Sequence, residues 1–299
     1  MRLLIVGSNG QLGHDLMAQA RQRGWFATGA DMPVCDITDR QSVERAIESA
    51  GRADVPVDIL INAAAYTAVD KAESEPEIAF AVNRDGADVL ARACHDHRIP
   101  LIHVSTDYVF DGRQTHPYRP TDPVNPQGVY GKSKAEGEAR IRQIWERHVI
   151  VRTSWLFGRQ GANFVKTMIR LGKERDTLRV VDDQVGCPTY AGDLAGALLD
   201  AAADITANTA GWGTYHYCNE GAVTWYAFTR RILTLAGRYE RMRVRQVLPI
   251  LTSQYPLPAP RPYYSVLDCS SFEARFGVTR RPWETALREM LAGIYENMS

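Results

Sequence analysis

Arg2-Leu-Leu-Ile-Val-Gly7-Ser-Asn-Gly10-Gln-Leu-Gly13 opens the chain with an apolar run broken by three glycines at three-residue spacing. The run predicts a short buried strand, Arg2 to Val6, and the residues that follow predict an amphipathic helix to about Arg23. Glycines so placed let the backbone turn tightly, approach a pyrophosphate closely and pack the helix against the sheet. Phosphate would then lie over the N–H groups at the start of the helix. A glycine-rich turn is a weak signal alone; here it follows a strand and opens a helix, which is the context the motif requires.

Outward from this turn, a second strand, Trp25 to Ala30, ends at Asp31, the place of an acid that binds an adenosine ribose. Asp36-Ile37-Thr-Asp39 leads into a helix over 42–50. A third strand, Val57 to Ile61, runs into Asn62-Ala63-Ala64-Ala65, whose small side chains suit close approach to a flat ligand. A helix over 76–97 and a strand over 99–104 follow, the strand breaking into Ser105-Thr106-Asp107-Tyr108. Strands alternating with helices predict an α/β fold, a Rossmann-type doubly wound parallel sheet. Ligands of such sheets bind at the carboxyl ends of the strands, where Gly7, Asp31, Asn62 and Thr106 converge.

A Pro-rich loop, Asp111 to Gln127, leads to a helix beginning Val129-Tyr130-Gly131-Lys132-Ser133-Lys134. Tyr130 and Lys134 are four apart and share one helix face. An ammonium beside a phenol is expected to lower the phenol's pKa, so that it exchanges its proton at working pH. Thr106 can hydrogen-bond the same substrate oxygen; Lys132 faces elsewhere and reads as a solvated charge. Tyr-x-x-x-Lys by itself is common as an exposed packing pair, and the glycine turn upstream is what gives it weight.

A strand over 148–152 continues the sheet into Thr153-Ser154-Trp155. Later signals predict helices at about 161–174, 191–203, 223–236 and 282–297, with strands near 178–181, 214–217, 243–248 and 265–268. The Pro-rich segment Tyr255 to Pro262 reads as a loop carrying Arg261, whose guanidinium suits a diphosphate. The expected division is a dinucleotide-binding domain over 1–155, with later segments returning to its sheet, and a smaller, mainly substrate-binding lobe over 156–299.

The 299 residues are 45% hydrophobic and 23% charged with zero formal net charge, so no basic field argues for nucleic acid. No apolar run reaches membrane-spanning length, and Leu3–Val6 is too short for a signal-peptide core. Five scattered cysteines without zinc spacing read as reduced thiols of a cytoplasmic protein.

The glycine turn, Asn62-Ala-Ala and Tyr130-x-x-x-Lys134 resemble the extended short-chain dehydrogenase/reductase family. Within it, the dTDP-4-dehydrorhamnose reductases are the similar branch, through Gly10-Gln-Leu-Gly, Asn62 to Glu73, Ser105 to Gly112, Tyr130 to Lys134, Arg152-Thr-Ser-Trp155 and Arg261-Pro-x-x-Ser-x-Leu-Asp268. These runs span nearly the whole chain in order. The resemblance implies reduction of the C4 ketone of dTDP-4-dehydro-β-L-rhamnose, or alternatively of another nucleotide-linked 4-keto-6-deoxysugar, with dual use of NADH and NADPH; Asp31 predicts a preference for NADH. It implies Thr106, Tyr130 and Lys134 as catalytic residues, and Thr106, Asp107 and Trp155 as substrate contacts. Gln11, Leu12, Asp31, Asp36, Ile37, Ala63, Ala64 and Ala65 match cofactor contacts, as do Tyr130 and Lys134, the lysine both tuning the phenol and holding the nicotinamide ribose.

Some members of the resembling family bind magnesium at a dimer contact. Asp15 stands at one such place, but Gly192 and Gly293 lack carboxylates at the others, and Asp193 and Glu296 are out of helical phase with them. No metal is therefore expected, and monomer and homodimer both stay open. A sugar-nucleotide dehydratase needs a Thr-Asp-Glu run, and Tyr108 replaces the Glu here. A non-catalytic binding subunit, such as the regulatory subunit of methionine adenosyltransferase, shares the cofactor fold and is the rival from another class.

Overall fold

The computed structural model describes residues 1–51, 55–207 and 211–296. Its centre is a six-stranded parallel sheet. β1 (Arg2–Val6), β2 (Phe26–Ala30), β3 (Ile59–Asn62), β4 (Leu101–Thr106) and β5 (His148–Thr153) are joined by a returning strand, Gly213–His216. The spatial order is Gly213–His216, β5, β4, β3, β1, β2. β2 lies on one side of β1 and β3 on the other, so the chain reverses direction beside β1 and opens a crevice at the strand ends there. Near-continuous apolar strands are what a sheet covered on both faces requires, and Leu3, Leu4, Ile5, Ile59, Leu60 and Ile61 are all fully buried.

One face is covered by the helices Gln11–Gln22 and Ala191–Ala207, whose Leu12, Leu16, Leu194 and Leu198 pack with Leu3, Ile5 and Ile61. The other is covered by Arg40–Ala50, Gly86–Asp96 and Val129–Ile144, burying Val43, Ile47, Leu90 and Ile141 against Leu4 and Leu60. A separate core, Phe157, Met168, Phe228, Trp283 and Met290 among its members, unites the helices Phe164–Glu174, Trp225–Ala236 and Trp283–Tyr295. No described helix is long and apolar enough to cross a membrane.

The later elements depart from expectation in particular ways. The strand expected near 243–248 runs instead over Gln246–Ile250, pairing in parallel with Thr177–Val181, because the N–H groups of Arg243 and Val244 are taken by Gly172 O in the last turn of the helix Phe164–Glu174. The strand expected at 265–268 is an extended segment pinned by isolated bridges: Tyr118 N–H donates to Val266 O and Asp268 N–H to Tyr118 O, each at 2.8 Å. Helices start late where a polar cap stands, at Asn163 and Thr224. Residue 297 of the last expected helix lies outside the described residues. The helix expected over 76–97 contains a π turn at Ala81–Asp85, which pushes Asn83 O to where a side chain at Gly137 would collide with it at 2.1 Å.

Candidate active site

A cavity of about 1090 Å³ follows the carboxyl ends of the strands from Gly7 and Asp31 to Tyr130 and Trp155. Its floor is the glycine turn. Gly7 has φ +78°, and a Cβ there would lie 2.5 Å from Ala64 N; a Cβ at Gly13 would lie 2.2 Å from Gly7 O. Gly13 therefore serves helix-to-turn packing and does not line the cavity, whereas Gly7, Gly10, Gln11 and Leu12 do. Gly10 caps the helix without a side-chain bond, leaving the helix start facing the crevice with backbone N–H groups, a diphosphate-binding arrangement. Asp31 accepts from Asn9 N–H at 2.9 Å and Met32 N–H at 2.8 Å, which holds its carboxylate at the rim. Asp36, bonded by Thr38, lies along the same edge with Ile37, while Ala63, Ala64 and Ala65 form the opposite wall. The cradle has the clearance and the donors that a dinucleotide needs.

The far wall is built by β4 and the helix Val129–Ile144. That helix has no side-chain cap of its own at Gly128; Glu73 accepts Val129 N–H at 2.8 Å from another element. Gly131 lets it close on Tyr108 O, where a Cβ would stand 2.2 Å away. Thr106 is buried, donates to Asp107 Oδ1 at 3.0 Å and lines the cavity together with Tyr130. Tyr130 packs edge-on against Tyr108 with ring centroids 5.6 Å apart. Burial pushes the Tyr130 phenol up to about 12, the Thr106 hydroxyl opposing. The expected depression of this phenol is thus not present: Lys134 turns its Nζ inward, donating to Val104 O at 2.7 Å and lying 3.2 Å from His103 Nε2. Burial also drives the Asp107 carboxyl up to about 6, with Ser265 and Thr106 opposing.

Trp155 reaches the cavity from a strained backbone, φ 47°, stacked on Trp225 at 3.4 Å between ring centroids. Arg261 is placed differently from the sequence reading. Both arms of its guanidinium are on Asp70, at 2.6 and 2.7 Å, and it lies beside Tyr108 without lining the cavity. Asn62, expected at the crevice, is turned into the interior against His103. Lys132 is exposed, as its position on the helix implied.

Sequence reasoning passed over His103, read only as part of an apolar strand, and over Ser105, Glu138 and Arg152. Glu138 is fully buried and accepts from Ser105 Oγ at 2.6 Å and from Arg152 at 2.7 and 2.9 Å. Two polar residues at alternate positions of an otherwise apolar strand were the available signal.

The residues do not fit a magnesium site. Asp15 faces Arg159, whose guanidinium occupies the space where a Cβ at Gly293 would stand 2.3 Å from it. Asp193 is held by Arg281 at 2.7 Å, so that carboxylate already has a cationic partner. Among the described residues no His, Cys, Asp and Glu cluster could hold a metal.

Comparison with known proteins completes the site's setting. The family model described as RmlD substrate binding domain matches residues 1–296. A dTDP-4-dehydrorhamnose reductase of Aggregatibacter actinomycetemcomitans is 43% identical over 294 residues, covering 97% of this chain and 98% of that protein. The chain belongs to the dTDP-4-dehydrorhamnose reductase family. It is accordingly an oxidoreductase. Among solved structures, a dTDP-4-dehydrorhamnose reductase of Clostridium acetobutylicum superposes with TM-score 0.89 at 39% identity, covering 98% of this chain and 99% of that one. The Bacillus anthracis enzyme, solved in complex with NADP, superposes with TM-score 0.89 at 36% identity and the same coverage.

Proposed function

We propose that this member of the family reduces the C4 ketone of dTDP-4-dehydro-β-L-rhamnose to give dTDP-L-rhamnose, with Tyr130 as general acid. The observation that carries the reading is that Thr106 and Tyr130, from a strand end and the following helix, line together the same cavity as the glycine cradle. A reduced nicotinamide, when bound, supplies the hydride; Gly7, Gly10, Gln11, Leu12, Asp31, Asp36, Ile37 and the alanines Ala63, Ala64 and Ala65 would hold it, with Gly13 setting the turn. The chain's own part is to orient and to protonate. Thr106 directs the ketone oxygen towards the phenol, and the phenol of Tyr130, kept protonated by burial, gives its proton to the oxygen as negative charge develops there. Asp107 and Trp155 bound the sugar side, and Lys134 holds the base of the wall. Arg261 would reach a diphosphate only by leaving Asp70, so in this reading it chiefly braces Tyr108.

Both NADH and NADPH serve in this reading, NADH the better, since Asp31 can accept from a ribose hydroxyl but repels a 2′-phosphate. The test is oxidation of NADH and NADPH against a panel of nucleotide-linked 4-keto-6-deoxysugars. Turnover with the dTDP-linked sugar is expected. Water elimination from a nucleotide-linked hexose that still carries its 6-hydroxyl would instead favour a dehydratase, and binding without turnover a regulatory subunit.

A further inference from the structure

The wall that Trp155 gives the crevice is held from outside it. Trp155, between β5 and the short strand Leu156–Phe157, has φ 47°, and Arg98 is the other residue besides glycine with a positive φ among the described residues. At Arg98 the left-handed turn ends the helix Gly86–Asp96, with Ile99 N–H donating back to Cys94 O at 2.8 Å. Trp155 ends no helix. Its backbone is stitched instead to a facing segment: Ser154 Oγ donates to Cys187 O at 2.6 Å, Thr189 N–H donates to Trp155 O at 3.2 Å, and Leu156 and Phe157 pair with Thr189 and Tyr190. A bulky residue persists in this conformation where its surroundings fix it, and such strain concentrates at functional positions.

The side chain is fixed by a two-stranded ribbon, Val185–Gly186 against Val223–Thr224, in which Val223 is the register partner of Gly186. Trp225 follows the second strand directly and stacks on the Trp155 indole, with ring centroids 3.4 Å apart and planes 7° from parallel. Gly186 meets the same indole from the first strand. A Cβ there would lie 2.5 Å from Trp155 Cε2, 2.6 Å from Nε1 and 2.8 Å from Cζ2. The nearest of the three is the ring-fusion atom, so Gly186 stands over a face of the ring and not at its edge. Trp225 fills one face, so Gly186 covers the other. Trp225 is fixed in turn: Phe164 leans on it with centroids 4.3 Å apart, and Thr224 caps its helix, accepting Ala227 N–H at 3.1 Å and donating to Asp182 Oδ1 at 2.5 Å. Trp155 lines the cavity, whereas Gly186 and Trp225 do not.

We propose that Gly186 and Trp225 are positioning residues for the nucleotide sugar: they form a slot that holds the Trp155 indole against the substrate, so that sugar binding depends on two residues outside the cavity. An indole clamped on both faces presents a preset surface, and no ordering cost falls on substrate binding. The inference rests on the reductase reading for the identity of that substrate.

The experiment uses the full chain labelled with 5-fluorotryptophan. The sequence has six tryptophans, and the Trp155 ¹⁹F signal is identified by its loss in Trp155→Phe. In wild type that signal is expected to be single and narrow, and to move when dTDP-L-rhamnose, the product of the proposed reaction, is added. Trp225→Leu takes away the stacked ring, Gly186→Ala drives a Cβ into the opposite face, and Trp225→Phe keeps a ring in place. The first two are expected to broaden or split the Trp155 signal without ligand. They should also raise KM for the sugar nucleotide roughly five- to tenfold, the scale of one aromatic pair, with kcat and KM for the cofactor held. Trp225→Phe is expected to keep the narrow signal and a KM near wild type. Gly186 does not have a positive φ, so alanine meets no backbone strain there, and that variant carries the test if Trp225→Leu fails to fold. A Trp155 signal that stays narrow in both variants, an unchanged KM for the sugar nucleotide, or equal losses for sugar nucleotide and cofactor that Trp225→Phe does not restore would overturn the proposal. The fluorine measurement without ligand needs no turnover. A failed ketone assay beside a broadened Trp155 signal would thus defeat the reductase reading while upholding the clamp, and an active enzyme with an unaltered signal would defeat this inference alone.

Discussion

The two walls of the crevice are made in opposite ways. At the floor, Gly7 to Gly13, the work is done by backbone and by side chains that are missing: a positive φ, a helix start facing the crevice, and clearances that a single Cβ would close. Across from it, Thr106, Asp107, Tyr130 and Lys134 act through buried polar side chains, three of them ionisable, and burial moves the proton affinity of each of those three. The floor is local in sequence and intolerant of volume. The opposite wall is assembled from distant segments and intolerant of changes in charge or hydrogen bonding. Each wall should therefore fail by its own route.

The largest effect belongs to the ionisable wall. Tyr130→Phe removes the proton donor and almost no volume, so kcat is expected to fall by roughly 10²–10⁴ while cofactor affinity holds. Steady-state kinetics with a parallel cofactor titration check this; a variant keeping most of its kcat would remove Tyr130 from the acid's role. The floor is broken by volume instead. Gly7→Ala places a Cβ on the Ala64 backbone in a left-handed conformation, and strain with overpacking together should cost about 4 kcal/mol. Urea unfolding and cofactor Kd should both worsen, and an unmoved unfolding midpoint would mean the turn relaxes freely.

Asp107 sharpens the contrast through pH. Its folded pKa, raised to about 6, lies above the unfolded value, so the folded state holds the proton more tightly. The associated stability is complete below about pH 4 and is lost as pH rises through about 6, roughly 3 kcal/mol in all. Asp107→Asn should flatten that part of the stability profile and melt above wild type at pH 8. Parallel profiles for the two proteins would show that the carboxyl is not held neutral. The smallest effect is at the rim: Asp31→Ala should shift the ratio of kcat/KM for NADH over NADPH towards NADPH by about tenfold, or 1.4 kcal/mol. An unmoved ratio, or a wild type strongly preferring NADPH, would mean that Asp31 does not read the ribose.

What could be read from residues alone was whatever short-range patterning encodes. The apolar run of β1, the spacing of Gly7, Gly10 and Gly13, and the four-residue interval of Tyr130 and Lys134 each specify local geometry, because backbone conformation and helical phase depend on near neighbours. The alternation of strands and helices then implied the parallel sheet and put Thr106 and Asp31 at its carboxyl edge. The direction of Lys134 was beyond that reach. On the helix, Lys134 and Glu138 are one turn apart, and on β4, His103 and Ser105 are two residues apart; both intervals are about 6 Å, so the pairs meet rung by rung once the helix lies on the strand. Only that packing turned the ammonium away from the phenol and towards a histidine. The partnership of Arg261 with Asp70 likewise spans most of the chain, and Glu73 caps a helix that starts far beyond it. Proton affinity and ion pairing depend on burial and on which charge stands nearest, and both are properties of the assembled fold rather than of any stretch within it.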